Sequence, residues 1–204
     1  MQTKTYTELF ALIQALCGVV FASIETPRIK ALINRRALRA YRATNYWPRF
    51  LKIGEERVVT SGVIPFTESG KDSIDTFLRV HKQAPYITAS VQEYDIMVTA
   101  SSATLVCGDL DPTEAFVTYK AQLTDTYGDG AGETSAIPAE WHQYLAHGTY
   151  ADYLRAEGQQ EKAALADQEA EGLLQDELIR IDEQHTLQMV ANRIFTNANM
   201  QTRY

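Results

Sequence analysis

Hydrophobic spacing changes twice along this 204-residue chain, from helical to strand-like near residue 50 and back to helical near 137. A pattern of one period cannot bury its apolar side in an element of the other, so the double switch sets the fold class. It predicts an α+β chain, with a helical bundle of about four helices and an inserted antiparallel β module. The helical domain comprises residues 1–49 and 137–204, and the β insertion residues 50–136.

In the first zone Leu9, Leu12, Ile13, Leu16 and Val20 follow helical spacing. The run Leu9–Ile24, with Lys4 ahead of it, resembles a signal peptide at first sight. Thr5-Tyr6-Thr7-Glu8 instead reads as a capping box, and Gln14 and Gly18 break the run, which favours a core helix. The run is too short for a membrane span and no other approaches one, so the chain is expected to be soluble. Thr26 is expected to cap a second helix, with Pro27 at its first position and its end near Tyr46, ahead of Pro48. The second zone holds short β-prone runs at 57–60, 62–65, 75–80, 94–98, 104–106 and 115–119, expected to form a small sandwich or barrel. Within it Phe77, Arg79 and His81 alternate with Leu78 and Val80, as in a half-buried strand. In the third zone Pro138 is expected in a helix's first turn, with Trp141, Leu145 and Ala151 facing inward. A longer helix follows from about Gln159, with Leu174, Leu178, Ile181 and His185 on one stripe. It is expected to end near Asn197, because Thr196–Tyr204 has no helical pattern.

Residue chemistry nominates no catalytic centre. The chain has no Gly-x-Ser-x-Gly and no Gly-x-Gly-x-x-Gly. Ser69-Gly70-Lys71-Asp72 mimics the end of a phosphate loop, but Pro65 stands where the first glycine belongs. His142 and His147 are five apart and off one helical face, and no cysteine pair joins them, so no metal site is expected. Asp125, Asp129 and Gly130 lack calcium-loop spacing. Cys17 and Cys107 sit among apolar neighbours and are expected buried and reduced. No cofactor is expected.

Charge is unevenly placed. The net charge of −7 disfavours a free-standing DNA binder. Yet Arg28–Lys52 holds eight basic residues and no acid, while Arg155–Gln184 holds nine acidic and three basic residues. At 100° per residue Arg28, Arg35, Arg39 and Arg42 share an arc of roughly 60°, opposite Ile29, Ile33, Ala37 and Ala40. These arginines are expected to bind a partner surface, and carboxylates of the acidic stretch, in the same chain or a neighbour, suit bidentate pairing. After Gln184 there are no acids, and Ile194, Phe195, Met200 and Tyr204 give the C-terminal segment apolar side chains with which to dock.

The order and texture of these segments resemble the head-to-tail adaptors of tailed bacteriophages, also called neck, connector or proximal tail tubular proteins. Three parts carry the resemblance: the paired N-terminal helices with Asn34-Arg35-Arg36-Ala37-Leu38-Arg39, the β insertion with Asp75–Val80 and Val117–Lys120, and Ile137–Trp141 with Tyr144–Arg155 ahead of the acidic helix. The resemblance implies a structural virion protein of the neck or tail, not an enzyme, assembled in the host cytoplasm. It implies a homo-oligomeric ring of about twelve copies with closing heterologous contacts. Its partners would be the portal protein, a downstream tail or nozzle protein, and genomic DNA passing through the channel without sequence-specific binding. No membrane is implied. Two other classes remain open: a small nucleic-acid-binding protein using Arg28–Lys52, and an enzyme whose site assembles only in three dimensions.

Overall fold

The computed structural model describes residues 3–85, 92–106, 112–124 and 136–201; at residues 3, 136 and 184–201 it describes the backbone alone. The described elements run β1 (Thr3–Thr5), α1 (Tyr6–Cys17), α2 (Thr26–Ala43), β2 (Leu51–Val58), β3 (Val63–Pro65), β4 (Ile74–His81), β5 (Asp95–Val98), β6 (Ser102–Val106), β7 (Glu114–Ala121), β8 (Ala136–Pro138), α3 (His142–Ala156) and α4 (Gln160–Gln201). The fold is α+β, with four α-helices and an antiparallel β module. Two compact units result, residues 1–44 with 124–187 and residues 45–123 with 188–204.

The helical unit starts at the capping box. The Thr5 hydroxyl accepts from the Glu8 amide at 3.2 Å, and the Glu8 carboxylate accepts from the Thr5 amide at 2.9 Å. Two orphan donors at the helix start are thereby satisfied. Gly18 closes α1 in the left-handed conformation, φ 68°, which glycine adopts without steric cost. Leu9 and Ile13 of α1, Ile29, Ile33, Ala37 and Ala40 of α2, Trp141, and Leu145 and Ala151 of α3 are buried together with Ala163, Ala166, Ala170, Leu174 and Ile181 of α4. Alanines on the buried side of α4 permit close approach to Ala151 and Leu154 of α3. Phe21 anchors the α1–α2 connection edge-on against Phe10 and Tyr153, while Val20 and Ile24 are 86% exposed.

Several boundaries differ from those the residues suggest. Glu25, not Thr26, is the N-cap of α2. The Thr26 hydroxyl donates back to the Ala22 carbonyl at 3.2 Å, and the Glu25 and Thr26 amides bond the same oxygen, so the turn tightens one residue early. The helix stops at Ala43, where Thr44 becomes extended, short of Tyr46. Pro138 ends a strand instead of entering a helix. The residue before a proline favours extended backbone, so Ile137 lies in β8, pairs with Lys4 of β1, and a short 3-10 turn at Ala139–Trp141 leads into α3. The last helix continues through Asn197 to Gln201. No Gly or Pro follows Gly172, and Asn and Thr are only mildly unfavourable in a helix. Cys17 is half-buried, with burial pushing its thiol up to about 11; Cys107 lies outside the described residues.

In the β unit, antiparallel strands form two three-stranded sheets, ordered β2-β7-β4 and β3-β6-β5. Val59, Ile64, Ile74, Val80, Leu105, Val117 and Tyr119 share one core. The simple alternation expected along β4 is broken. Its register against β7 shifts between Phe77 and Arg79, and Val80 and His81 are both buried. A bulge in β2 between Lys52 and Glu55 contains Gly54, φ 62°. A Cβ there would lie 2.5 Å from the Pro85 side chain. Gly54→Ala is therefore expected to cost at least about 2 kcal/mol, from left-handed strain and the collision together. Urea unfolding followed by circular dichroism measures it.

Candidate functional site

The basic arc of α2 and the acids of α3 and α4 meet inside the helical unit. Arg28, Arg35, Arg39 and Arg42 are exposed, and Ile29, Ile33, Ala37 and Ala40 opposite them are buried. Arg36 lies between these two sides and is 4% exposed. Its Nε donates to Asp152 Oδ2 at 2.9 Å and its Nη2 to Oδ1 at 2.8 Å, a bidentate fork that matches guanidinium to carboxylate. The same Nη2 is 2.7 Å from Asp167 Oδ1, and Nη1 is 3.6 Å from Glu171. Arg35 adds a contact to Asp152 at 2.7 Å, Arg155 another at 2.9 Å, and Arg39 reaches Glu171 at 3.0 Å.

Local sequence explains the geometry. Asp167 and Glu171 are four apart and so share one side of α4. Gly148 precedes Asp152 by one turn of α3, and a Cβ at Gly148 would lie 3.1 Å from Arg36 Cδ. The glycine leaves a channel along which the Arg36 stem crosses α3. Burial works to raise the Asp152 carboxyl, but the Arg36 fork and then Arg35 outweigh it and hold it below its ordinary range. The same competition, with Arg36 and Arg155 winning, lowers Asp167.

Beside this cluster, between α2 and α4, lies a groove of about 570 Å³. Leu38, Leu174 and Leu178 give it an apolar lining, beside Arg35, Arg39, Arg42 and Glu171. Arg28 and Arg42 have no ion-pair partner among the described residues, whereas Arg35 and Arg39 are held by carboxylates of their own chain. Ile194, Phe195 and Met200 lie on α4 with undescribed side chains, and Tyr204 lies outside the described residues.

The arc of Arg28, Arg35, Arg39 and Arg42 does not mark Arg36, which lies outside it towards the buried apolar side. The available signal was Asp152, an acid among the inward residues Leu145, Ala151 and Leu154. A buried acid needs a buried cation. A second missed cation is Arg57 of the β unit, fully buried, which donates to the Tyr119 hydroxyl and to the Asp72 carbonyl, 2.7 Å away. Glu55 lies 2.7 Å from it, and its guanidinium sits 4.8 Å from the Tyr119 ring centre.

Other motifs find plain roles. Lys71, of the phosphate-loop mimic, pairs with Glu68 at 2.6 Å. His147 approaches Glu169 at 3.4 Å, and burial lowers both His81 and His142. Among the described residues no group of three His, Cys, Asp or Glu could hold a metal ion, and no helix is long and apolar enough to cross a membrane. Asp125, Asp129 and Gly130 lie outside the described residues. Compared with protein-family models and with curated proteins, the chain matches none.

Asp152→Ala would take the bidentate partner from the buried Arg36 and leave it only the flanking Asp167 and Glu171. Breaking a buried pair this way costs about 3–5 kcal/mol, and chemical denaturation should record that loss. Acid should act on the same cluster. A carboxyl whose pKa is lower in the folded chain stabilises the fold fully above its unfolded value, about 3.9. That contribution is withdrawn as pH falls through the lower folded value, so Tm should hold above about pH 4 and drop below it, less steeply in Asp152→Asn.

Proposed function

We propose that the protein is a structural component of a tailed-bacteriophage virion, a head-to-tail adaptor that forms a ring beneath the portal and continues the DNA channel towards the tail. The observation that carries this reading is the order of elements. Two N-terminal helices, the second basic, precede an antiparallel β module; Ile137–Trp141 then leads into α3 and the 42-residue α4. That order follows the segments on which the resemblance rests. Separation of charge between α2 and the outer side of α4 supports self-assembly, because heterologous rings need two different complementary surfaces on each copy. An acidic net charge suits a conduit that must let phosphate slide past. Under this reading the partners are further copies of the chain, the portal, a downstream tail protein and DNA in transit.

The nucleic-acid reading loses support from the ion pairs. Arg35, Arg36 and Arg39, three of the six cations of α2, face carboxylates of the same chain, which leaves fewer of them for phosphate. Negative-stain imaging with mass measurement, on the purified protein alone and mixed with its portal, tests the proposal. Rings of about twelve copies, or a ring capping the portal, are expected. A protein that stays monomeric in both samples contradicts it.

A further inference from the structure

The outer side of α4 carries a pattern that the fold itself does not use. Leu165, Gly172 and Ile179 recur every seven residues, and all three are exposed, Leu165 at 69% and Ile179 at 56%. At 100° per residue Glu161, Asp176 and Glu183 fall within the same arc of about 60°, diametrically opposite the buried Ala163, Ala170, Leu174 and Ile181. The three acids have no ion-pair partner among the described residues. The apolar side chains sit in water between them.

Gly172 sharpens the point. A glycine in a helix interior is unfavourable relative to alanine, and here the chain gives no steric reason for it. A Cβ at Gly172 would meet nothing within 4 Å, in contrast to Gly148, where it would press on Arg36. A glycine between two exposed apolar residues at heptad spacing lets another helix backbone approach closely.

The complementary surface is on the same chain. The groove between α2 and α4 has an apolar lining of Leu38, Leu174 and Leu178 and a rim of arginines; Glu171, also in the lining, pairs with Arg39, while Arg42 is unpaired among the described residues. On α4 its lining residues lie about 120° around the helix from the Leu165–Gly172–Ile179 stripe, so one copy cannot bring its own two surfaces together. We infer that the Leu165–Gly172–Ile179 stripe of one copy packs against the Leu38–Arg42 groove of the next copy, with Asp176 and Glu183 facing the arginine rim. Because the two surfaces differ, the contact is head-to-tail and propagates from copy to copy until the rotation closes it. The inference rests on the ring reading for its partner, a second copy, and specifies the surfaces by which copies meet.

Full-length protein in a concentration series, with mass read by light scattering, tests it. Arg42→Glu and Glu183→Lys should each weaken assembly at least tenfold, and the chain carrying both should recover much of the loss. Gly172→Leu should block assembly without lowering Tm, which separates a lost contact from a lost fold. If wild type assembles and all these variants assemble equally well, the contact is wrong and the ring reading stands. A wild type that remains monomeric throughout overturns both.

Discussion

The helical unit depends on one buried cation. Arg36 is held in a fork by Asp152 and flanked by Asp167 and Glu171, so a single side chain joins α2 to both α3 and α4. A guanidinium removed from water needs its charge matched, and Arg36 meets three carboxylates within 3.6 Å. That requirement fixes the rotation of three helices at once. It accounts for Gly148, whose missing side chain lets the arginine pass, and for the acid pair on α4, one turn apart. Contacts between alanines and leucines have little direction, whereas the Arg36 ion pairs have a defined geometry that ties α4 to α2.

The same cluster divides the cations of α2 by role. Arg35, Arg36 and Arg39 neutralise acids within the chain, and Arg28 and Arg42 remain outside. On α4 the acids divide likewise. Asp167 and Glu171 are turned to Arg36, and Glu161, Asp176 and Glu183 are turned away with Leu165, Gly172 and Ile179. The outward portions are unequal in chemistry, one cationic and apolar, the other anionic and apolar. Complementary surfaces on one subunit, unable to meet each other, are what a cyclic assembly requires.

Much of the architecture was legible in the residues because it follows from period and capping. Thr5 and Glu8 announce α1 by spacing alone, and the six β-prone runs all lie in or beside strands of the insertion. What was illegible depended on distant partners. Pairing of β1 with β8 joins residues over 130 positions apart, and no local pattern marks three-residue strands. The start of α2 slipped by one position because the Thr26 hydroxyl found the Ala22 carbonyl instead of capping. The burial of Arg36 and Arg57 was not legible because a buried arginine and an exposed one look alike in sequence, and only the acids they meet distinguish them. The groove was half visible: the arginine arc was in the sequence, but its leucine lining required α2 and α4 side by side.

The most direct measurement of the proposed contact between copies is site-directed cross-linking. Full-length Leu38→Cys and Ile179→Cys variants, each with a different tag, are mixed under assembly conditions and oxidised, and the linked peptides are identified by mass spectrometry. A disulfide requires Cβ atoms within about 4.5 Å, so it reports proximity without ambiguity. The account predicts a peptide containing position 38 of one copy joined to a peptide containing position 179 of the other. Assemblies that form normally and yield no such linkage would contradict it.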